Sequence, residues 1–424
     1  MPFESLYYLY RYRKVPWLKI NELKEMQRKK LRAIIKHAYE NVVYYRRLFD
    51  SARIKPSDID DVEDLAKIPI TTKLVLQNLP LSEIIARNVL LSKCKRMIIS
   101  GPSGQPLKIF FTRKDYSFLE MVWARGFLEN GLKFTDKRVS IEYGLPFKSW
   151  VQRLGVWRKE LLSVENDPQS QVFILEKMNP DVLTGYPFDL EVLASMIKKK
   201  EDIGIHPRLI FNIGSFLDKE TRDVINSAFG VKMFDYYASG ELGCMAWECS
   251  EHRGYHMNID AFVTEFLKDG SPAAPGEKGK IICTALHSYA MPLIRYETGD
   301  VGMYSDEQCP CGRSLPLMSY REGCANTFIV TPTGKLVSPC LLVNILKVIP
   351  GITQYKLVQE RKGELKVQLA KGKEFSPETV NQVMQGLKKV LGDEMDIEIK
   401  VVEQIPPDPP GKIHSIISKV PLGF

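Results

Sequence analysis

The feature that most constrains the fold is an alternation of short apolar runs with amphipathic segments in the middle of the chain. Strands are predicted at residues 139–143 and from residues 181, 208 and 231 onward, and helices at residues 190–199 and 219–229. Strands that alternate with helices at this spacing pair in parallel, because each helix returns the chain to the start of the next strand. The pattern predicts an α/β protein with layered sheets, substantially parallel, and helices packed on them.

Polar loops follow several of these predicted strands, where open α/β sheets collect their ligands. Gly185 ends one strand, and Gly214-Ser215 follows the next. The third loop runs Asp235-Tyr236-Tyr237-Ala238-Ser239-Gly240-Glu241. An aromatic ring there is suited to stack on a purine, and Glu241 to hold Mg²⁺ beside a triphosphate. The alternative is an ordinary polar transition from strand to loop.

A second candidate motif is Arg295-Tyr296-Glu297-Thr298-Gly299-Asp300. It places Asp300 after a tight turn, where a carboxylate can accept hydrogen bonds from ribose hydroxyls. The alternative is a plain Asp/Gly turn.

A glycine-rich loop lies earlier in the chain, at Ser100-Gly101-Pro102-Ser103-Gly104. Apolar runs at residues 97–99 and 109–111 flank it, which predicts a strand–loop–strand hairpin. Glycine lets the backbone approach a ligand closely, and the serine hydroxyls and free N–H groups donate to anions such as phosphate. The loop is not a Walker A motif, which needs Gly-Lys-Ser/Thr leading into a helix. Ordinary turn chemistry is the alternative interpretation.

Four metal-binding side chains stand out, namely Cys249, His256, Cys309 and Cys311. Cys309 and Cys311 straddle one proline, so two thiolates can face one ion, and three sulfurs with one nitrogen suit a tetrahedral structural zinc. His252 is the rival nitrogen ligand and Cys244 the rival thiol. The alternative is a set of buried, reduced side chains.

Length and composition bound the architecture. A chain of 424 residues with 44% hydrophobic residues is globular and exceeds one ordinary domain. No apolar run approaches the ~20 residues of a transmembrane helix, and we expect no secretory leader. Eight cysteines are too few for a disulfide scaffold, so we expect a reduced, cytoplasmic protein.

The net charge of +8 is concentrated in the first 54 residues, which hold 13 Lys/Arg against five acids. The sequence favours a solvated helix face over a binding surface, with a helix predicted at residues 20–47. Weak peripheral contact with a membrane stays open, and no nucleic-acid partner is expected. The oligomeric state is not readable from the sequence.

The last ninety residues change in character. Strands are predicted at residues 354–359, 364–369 and 395–402, and helices at 338–348 and 376–391. This βαβ-like pattern predicts a small C-terminal α+β lobe, from residue 329 to 424, after a large domain of residues 1–328. Its proline-rich tail presents Lys412.

The order of these motifs resembles the adenylate-forming enzymes. The nearest branch is that of the phenylacetate–coenzyme A ligases, with the capsule-biosynthesis (CapK) proteins and coenzyme F390 synthetases. The resemblance begins at Tyr44-Tyr45-Arg46 and includes the glycine-rich loop, residues 237–241 and residues 295–300. It continues through Cys309-Pro310-Cys311-Gly312-Arg313-Ser314-Leu315-Pro316 and ends at Gly411-Lys412. It therefore covers nearly the whole chain.

The resemblance implies a ligase that joins ATP and a carboxylic acid into an acyl-adenylate, releases pyrophosphate, and usually passes the acyl group to coenzyme A or another thiol or amine. Mg²⁺ at Glu241 and a structural Zn²⁺ are implied cofactors, and Lys412 and Glu241 the implied catalytic residues. The implied ATP-binding residues are Ser100, Gly101, Ser103, Gly104, Gly214, Ser215, Asp235, Tyr236, Tyr237, Ser239 and Asp300. The candidate pocket for the acid is lined by Tyr143, Gly144, Phe147 and Tyr186.

The chain departs from the family pattern at two places. Pro102 stands where the family has a threonine, which removes a hydroxyl and a backbone donor. The family's hinge pairs an arginine with an aspartate, whereas residues 323–329 read Gly-Cys-Ala-Asn-Thr-Phe-Ile. Two other functions therefore stay open: transfer of AMP to a hydroxyl group, and a non-catalytic binding module.

Overall fold

The computed structural model describes most of the chain. The ranges are residues 3–99, 107–142, 157–163, 168–199, 204–213, 217–322, 329–337, 349–372, 374–405 and 416–420, with the single positions 152, 155, 166, 342, 345 and 346.

Helices dominate the first part of the described chain and separate the strands of its middle. The α-helices are α1 (Phe3–Tyr12), α2 (Ile20–Asn41), α3 (Val43–Ser51), α4 (Lys73–Asn78), α5 (Leu81–Ile84), α6 (Arg113–Glu129), α7 (Pro168–Met178), α8 (Pro187–Lys199), α9 (Lys219–Phe229) and α10 (Pro377–Leu391). Short 3₁₀ turns lie at Val15–Trp17, Pro56–Asp58, Val62–Lys67 and Leu91–Lys93.

The strands form several sheets. They are β1 (Lys95–Ile99), β2 (Leu107–Phe111), β3 (Arg138–Glu142), β4 (Lys159–Ser163), β5 (Val182–Gly185), β6 (Leu209–Asn212), β7 (Met233–Phe234), β8 (Tyr236–Ser239), β9 (Gly243–Glu248), β10 (Tyr255–Met257), β11 (Phe262–Lys268), β12 (Ser271–Pro272), β13 (Lys278–Ala285), β14 (Tyr296–Ser305), β15 (Leu317–Glu322), β16 (Ile329–Val330), β17 (Leu336–Val337), β18 (Ile352–Gln359), β19 (Glu364–Lys371), β20 (Asp396–Val402) and β21 (Ile416–Ser418).

The predicted parallel sheet is present. Its five strands have the order β4-β3-β5-β6-β7, and each neighbouring pair is parallel. Helices α7, α8 and α9 cover it and bury side chains such as Leu175, Leu193 and Ile225 against Ile141 and Ile210 of the strands. The carboxyl ends of β5, β6 and β7 therefore lie along one edge, as the predicted ligand site requires.

The sequence pattern did not predict the second and larger sheet. Its eight strands have the order β12-β11-β13-β14-β15-β10-β9-β8, and they pair antiparallel. Helices α2, α3 and α6 pack on it around the largest core, which includes Leu31, Phe49, Val122, Trp247 and Phe262. Gly126 of α6 allows a close approach, because a Cβ there would lie 2.7 Å from the ring of Tyr236.

One of two predictions for the smaller elements is confirmed and the other is wrong. β1 and β2 form the expected antiparallel hairpin, in which Ile99 pairs with Leu107. The helix predicted at residues 20–47 is instead two helices, because Val42 is extended (φ −117°, ψ 118°) between α2 and α3. Asn41 favours this break, since its side-chain amide donates to the carbonyl of His37 at 3.0 Å.

The C-terminal part has a core of its own. β18 and β19 form an antiparallel hairpin, and α10 returns the chain so that β20 pairs with β19 in parallel. Leu365, Val383 and Leu387 meet in that core. The predicted strands and second helix are thus present, whereas most of the helix predicted at 338–348 lies outside the described residues. The division of the chain at residue 328 stays a prediction.

Candidate functional site

The candidate site lies where the chain passes from the parallel sheet to the antiparallel one. β7 belongs to the first sheet and β8 to the second, and only Asp235 separates them. The turn after β8 carries Glu241, and β14 brings Tyr296 and Asp300 to the same region.

Glu241 is held by a lysine and a tyrosine. Its Oε1 accepts from Lys73 Nζ at 3.2 Å and from the Tyr296 hydroxyl at 3.3 Å. The side chains of Glu241 and Lys73 are 10% and 23% exposed, so this ion pair lies at a rim and not in open solvent. The cluster offers one carboxylate and one ammonium group at the mouth of the site.

Lys73 reaches this position because the segment before α4 docks on β14. The Thr71 N–H donates to the Arg295 carbonyl and the Glu297 N–H donates to the Thr71 carbonyl, both at 2.9 Å. Lys73 was not among the residues predicted from the sequence. Its partner Glu241 is 168 residues away, so no local signal identified it.

Tyr237 and Asp300 meet as predicted for a shared site. The Tyr237 hydroxyl donates to Asp300 Oδ2 at 2.9 Å and lies 3.4 Å from Thr298 Oγ1. Burial, with the Asp300 charge beside it, raises the pKa of Tyr237 well above its ordinary value, so the phenol stays a donor. Gly299 turns the chain at φ +81°, which is the left-handed region where glycine is unstrained. Asp300 is thereby fixed, half-buried, within β14, where the pairing with β13 shifts register.

Asp235 and Tyr236 lie in the protein interior. A residue that contacts a ligand at the rim of the site would instead be exposed in part. The Asp235 carboxylate is fully buried and accepts from the Asn212 amide and the Tyr255 hydroxyl, both at 2.6 Å, and from the Tyr236 N–H at 2.8 Å. Tyr236 is also fully buried and stacks on Trp123 and Phe127 of α6, with ring centroids 6.1 and 5.0 Å away. Asp235 therefore joins β6, β8 and β10, while Tyr236 anchors α6.

Two other predicted residues lie directly after β5 and at the end of β8. Tyr186 lies half-buried directly after β5, and Ser239 Oγ accepts from the Leu242 N–H at 3.2 Å and so closes the turn that carries Glu241. The remaining predicted residues lie outside the described residues, namely Ser100, Gly101, Ser103, Gly104, Tyr143, Gly144, Phe147, Gly214, Ser215 and Lys412.

The end of β1 lies beside this region. Ile99, the last residue of β1, is so close to Gly240 that a Cβ on that glycine would lie 2.3 Å from Ile99 Cδ1. β1 therefore ends against the turn that carries Glu241.

A separate cluster brings Cys249, His256, Cys309 and Cys311 together. One ligand atom from each lies within 4.8 Å of the others, with the two closest pairs Cys249 Sγ to Cys309 Sγ at 3.6 Å and Cys311 Sγ to His256 Nε2 at 3.3 Å. The rivals lie elsewhere: Cys244 contacts the Ala246 carbonyl, and His252 stacks on Phe234.

The chemistry of this cluster suits a cation. His256 Nδ1 lies 3.3 Å from the Leu315 carbonyl, which leaves Nε2 as the nitrogen that faces the sulfurs. Burial lowers the pKa of His256 to about 4, so the ring is neutral and able to bind a metal. Burial also raises the pKa of Cys249 to about 12, so that this thiol needs a nearby cation to ionise near neutral pH.

The cysteine cluster is distant from Glu241. Glu241 precedes β9 and Cys249 follows it, so an extended strand places them about 20–25 Å apart. The cluster fastens the loop between β14 and β15 to β9 and β10, which makes it part of the scaffold.

Comparison with known proteins agrees with this architecture. Residues 329–419 match the family described as the CapK C-terminal domain. Phenylacetate–coenzyme A ligase of Escherichia coli (strain K12) is 27% identical over 422 residues, 91% of this chain and 93% of that ligase. The ligase of the same name from Thermus thermophilus is 27% identical over 380 residues, 82% of each chain.

Solved structures show the same fold at lower identity. 2-Hydroxyisobutyryl-CoA ligase, in the postadenylation state with 2-HIB-AMP, superimposes with a TM-score of 0.73 at 18% identity and covers 96% of this chain and 91% of its own. O-Succinylbenzoate coenzyme A synthetase of Bacillus subtilis, in complex with AMP, gives 0.55 at 15% identity, over 76% of this chain and 67% of its own. The predicted α/β class and the resemblance to the phenylacetate–coenzyme A ligase branch are thus confirmed.

The junction at Asp235 yields a first testable expectation. Asp235→Ala should lower the free energy of unfolding by on the order of 3 kcal/mol, because buried donors on Asn212, Tyr255 and Tyr236 each lose an acceptor. Denaturant unfolding of the variant measures the loss. Asp223→Ala, an exposed carboxylate on α9, is the matched control and should change the value by no more than about 0.5 kcal/mol. Equal effects of the two substitutions would contradict the assigned role.

Proposed function

We propose that this chain, a relative of the phenylacetate–coenzyme A ligases with the fold of adenylate-forming enzymes, activates a carboxylic acid with ATP. The acid attacks the α-phosphate, an acyl-adenylate forms and pyrophosphate leaves; a thiol then takes the acyl group and releases AMP. Coenzyme A is the favoured acceptor, since the curated relatives are named as its ligases. The observation that carries the proposal is the meeting of Tyr237 with Asp300, 63 residues away, beside Glu241 and Lys73.

Asp300 and Tyr237 are assigned to the nucleoside. A half-buried carboxylate at an irregularity of a strand can accept from two ribose hydroxyls, and the Tyr237 hydroxyl keeps it in one orientation. Asp235 and Tyr236 are assigned to the support of this region, because their side chains are fully buried among protein groups.

The phosphates are assigned to the glycine-rich loop and to Gly214-Ser215. Hydroxyl and N–H donors from Ser100, Gly101, Ser103 and Gly104 would surround them, and Lys73 would add a positive charge at the rim. Glu241 suits Mg²⁺, because its carboxylate, 10% exposed at the rim, is a hard oxygen ligand of the kind this ion takes. When bound, the ion would offset the negative charge of the triphosphate.

The acid is assigned to Tyr143, Gly144, Phe147 and Tyr186, at the carboxyl ends of β3 and β5. Together these residues would form an aromatic lining, which favours an aryl or other apolar acid. Lys412 is assigned to the acid carboxylate and the α-phosphate, with the C-terminal part closing over the site during adenylation.

A structural Zn²⁺ is proposed for Cys249, His256, Cys309 and Cys311. Three sulfurs and one imidazole nitrogen within 4.8 Å of one another match a closed tetrahedral site, with no position left for substrate. A cytoplasmic location stays a prediction from cysteine use; the six described cysteines carry free thiols.

Release of pyrophosphate tests the function. Purified protein with ATP and Mg²⁺ should release pyrophosphate only when an acid is added, in a panel of aryl and aliphatic carboxylic acids. Addition of coenzyme A should then yield the acyl thioester and free AMP. Transfer of AMP to a hydroxyl compound without any acid would indicate the reaction of the F390 type, and silence over the whole panel would indicate a binding module.

Lys412 should act in the first half-reaction. Lys412→Ala should lower acid-dependent pyrophosphate release by ~10²–10³-fold or more, because it removes a positive charge from the closed site. ATP binding and transfer from pre-made acyl-adenylate to the thiol should be largely retained. Lys419→Ala, an exposed lysine that pairs with Glu360, is the matched control and should leave both steps unchanged. Equal loss of both half-reactions in Lys412→Ala would mean a structural role.

Elemental analysis tests the zinc site. Protein purified without chelator should contain about one zinc per chain, and Cys311→Ser should contain almost none and unfold at a lower temperature. Cys94→Ser, which removes a half-exposed thiol outside the cluster, should keep both the metal and the unfolding temperature. A zinc content near zero in the unaltered protein would contradict the site.

A further inference from the structure

Helix α1 is fixed to the body of the protein by one of its two faces. The Ser5 hydroxyl donates to Glu120 of α6 at 2.7 Å. The rings of Tyr8 and Tyr12 meet the ring of Phe118 edge-on, with centroids 5.6 and 5.3 Å away. Ser5, Tyr8, Leu9 and Tyr12, which recur every three or four residues, are therefore the inner face.

The opposite face of α1 is also apolar. A surface helix normally has polar and charged residues on the face that meets solvent. Leu6, Tyr7 and Tyr10 recur at helical spacing on it and are 37%, 55% and 67% exposed. Along the sequence the aromatic and charged residues alternate, a pattern that favours a solvated helix. In the helix, however, Leu6, Tyr7 and Tyr10 lie on the same side.

The exposed apolar surface continues beyond the helix. Trp17 is 52% exposed and Ile20 is 38% exposed. The Arg313 guanidinium lies 4.7 Å from the Trp17 ring centroid and donates to Glu129 at the last position of α6. The surface thus runs along the outside of α6, a helix of 17 residues and about 25 Å.

Cations accompany these apolar residues. Arg11 donates to the Tyr7 hydroxyl at 3.0 Å, and Arg13 lies 4.3 Å from the centroid of the Tyr10 ring. Lys14, Lys19 and Lys24 are exposed nearby in sequence, whereas the one acid among residues 5–24, Glu22, accepts from the Lys19 N–H at the start of α2. We call the five apolar residues and these five cations the α1 surface.

A groove adjoins this surface. It has a volume of about 410 Å³ and is lined by Glu4, Tyr7, Tyr8 and Lys114. Glu4, which pairs with Arg113 at 3.0 Å, and Lys114 place one carboxylate and one ammonium group on the lining of this groove.

We propose that the α1 surface docks the protein peripherally on an anionic lipid bilayer. Tyr7, Tyr10 and Trp17 would lie at the level of the headgroups, where rings with one polar edge are favoured, and the cations would contact lipid phosphates. In the described part of the chain no helix is long and apolar enough to cross a bilayer. Leu6 and Ile20 favour lipid over nucleic acid, because aliphatic side chains gain contact with acyl chains but do not stack on bases.

Vesicle sedimentation of the full chain tests this proposal without nucleotide or acid, so that its outcome is independent of the enzymatic function. The protein should sediment with vesicles of phosphatidylcholine and phosphatidylglycerol, but much less with phosphatidylcholine alone. High salt should weaken the interaction, because the cations are exposed.

Two variants separate the apolar and charged contributions. Tyr7→Ser with Tyr10→Ser should lower the partition coefficient about tenfold or more at unchanged net charge. Lys14→Gln with Lys24→Gln should lower the partition coefficient on the order of 30-fold. Each cation near an anionic surface contributes about fivefold, and this variant removes two. Lys219→Gln with Lys232→Gln is the control; it removes the same charge from exposed positions on and beside α9 and should leave binding within about twofold.

The remaining outcomes each overturn the proposal. Equal sedimentation of all variants, provided that their unfolding temperatures match, would mean that another surface binds lipid. Absence of sedimentation with anionic vesicles would mean that none does. Tighter binding to a single-stranded RNA that is lost in Tyr7→Ser with Tyr10→Ser would identify a nucleic-acid surface. Self-association lost in that variant, without vesicle binding, would identify an interface between two copies.

Discussion

The buried carboxylate of Asp235 is the contact on which the arrangement of the two sheets depends. It occupies the single position between β7 of the parallel sheet and β8 of the antiparallel sheet. Its oxygens accept from Asn212 on β6 and from Tyr255 on β10, one donor from each sheet. A buried carboxylate is costly unless it is hydrogen-bonded, so these donors stabilise the corner in the geometry observed.

The corner at Asp235 also orients the next strand and the turn after it. Successive side chains of β8 point to opposite faces, so Tyr236 enters the core beside α6 while Tyr237 turns to Asp300 on β14. The turn after β8 then presents Glu241 to Lys73 and Tyr296. The cysteine cluster at the other end of β9 joins β10 to the loop before β15, so side-chain contacts hold both ends of this strand.

Much of the candidate site was predictable because its motifs carry their own local chemistry. The loop from Asp235 to Glu241, the turn at Gly299 and the paired cysteines at 309 and 311 are each recognisable within a few residues. Lys73 could not be predicted as a site residue, because its neighbours in sequence are those of an ordinary helix. It meets its partner only when the segment at Thr71 docks on β14. The sequence also could not show which of Tyr236 and Tyr237 faces the core and which faces Asp300. Two adjacent tyrosines are equivalent in the sequence until the strand places them on opposite faces.

The sequence by itself determined the α/β class, the parallel sheet with its helices, the hairpin around the glycine-rich loop and the C-terminal βαβ pattern. These depend on periodicity and turn residues, which act over a few positions. Only the tertiary structure decided the eight-stranded antiparallel sheet, the meeting of Lys73 with Glu241 and the outward face of α1. Each of these depends on which distant surface a segment packs against, and the free energy of that contact is not encoded in the segment alone.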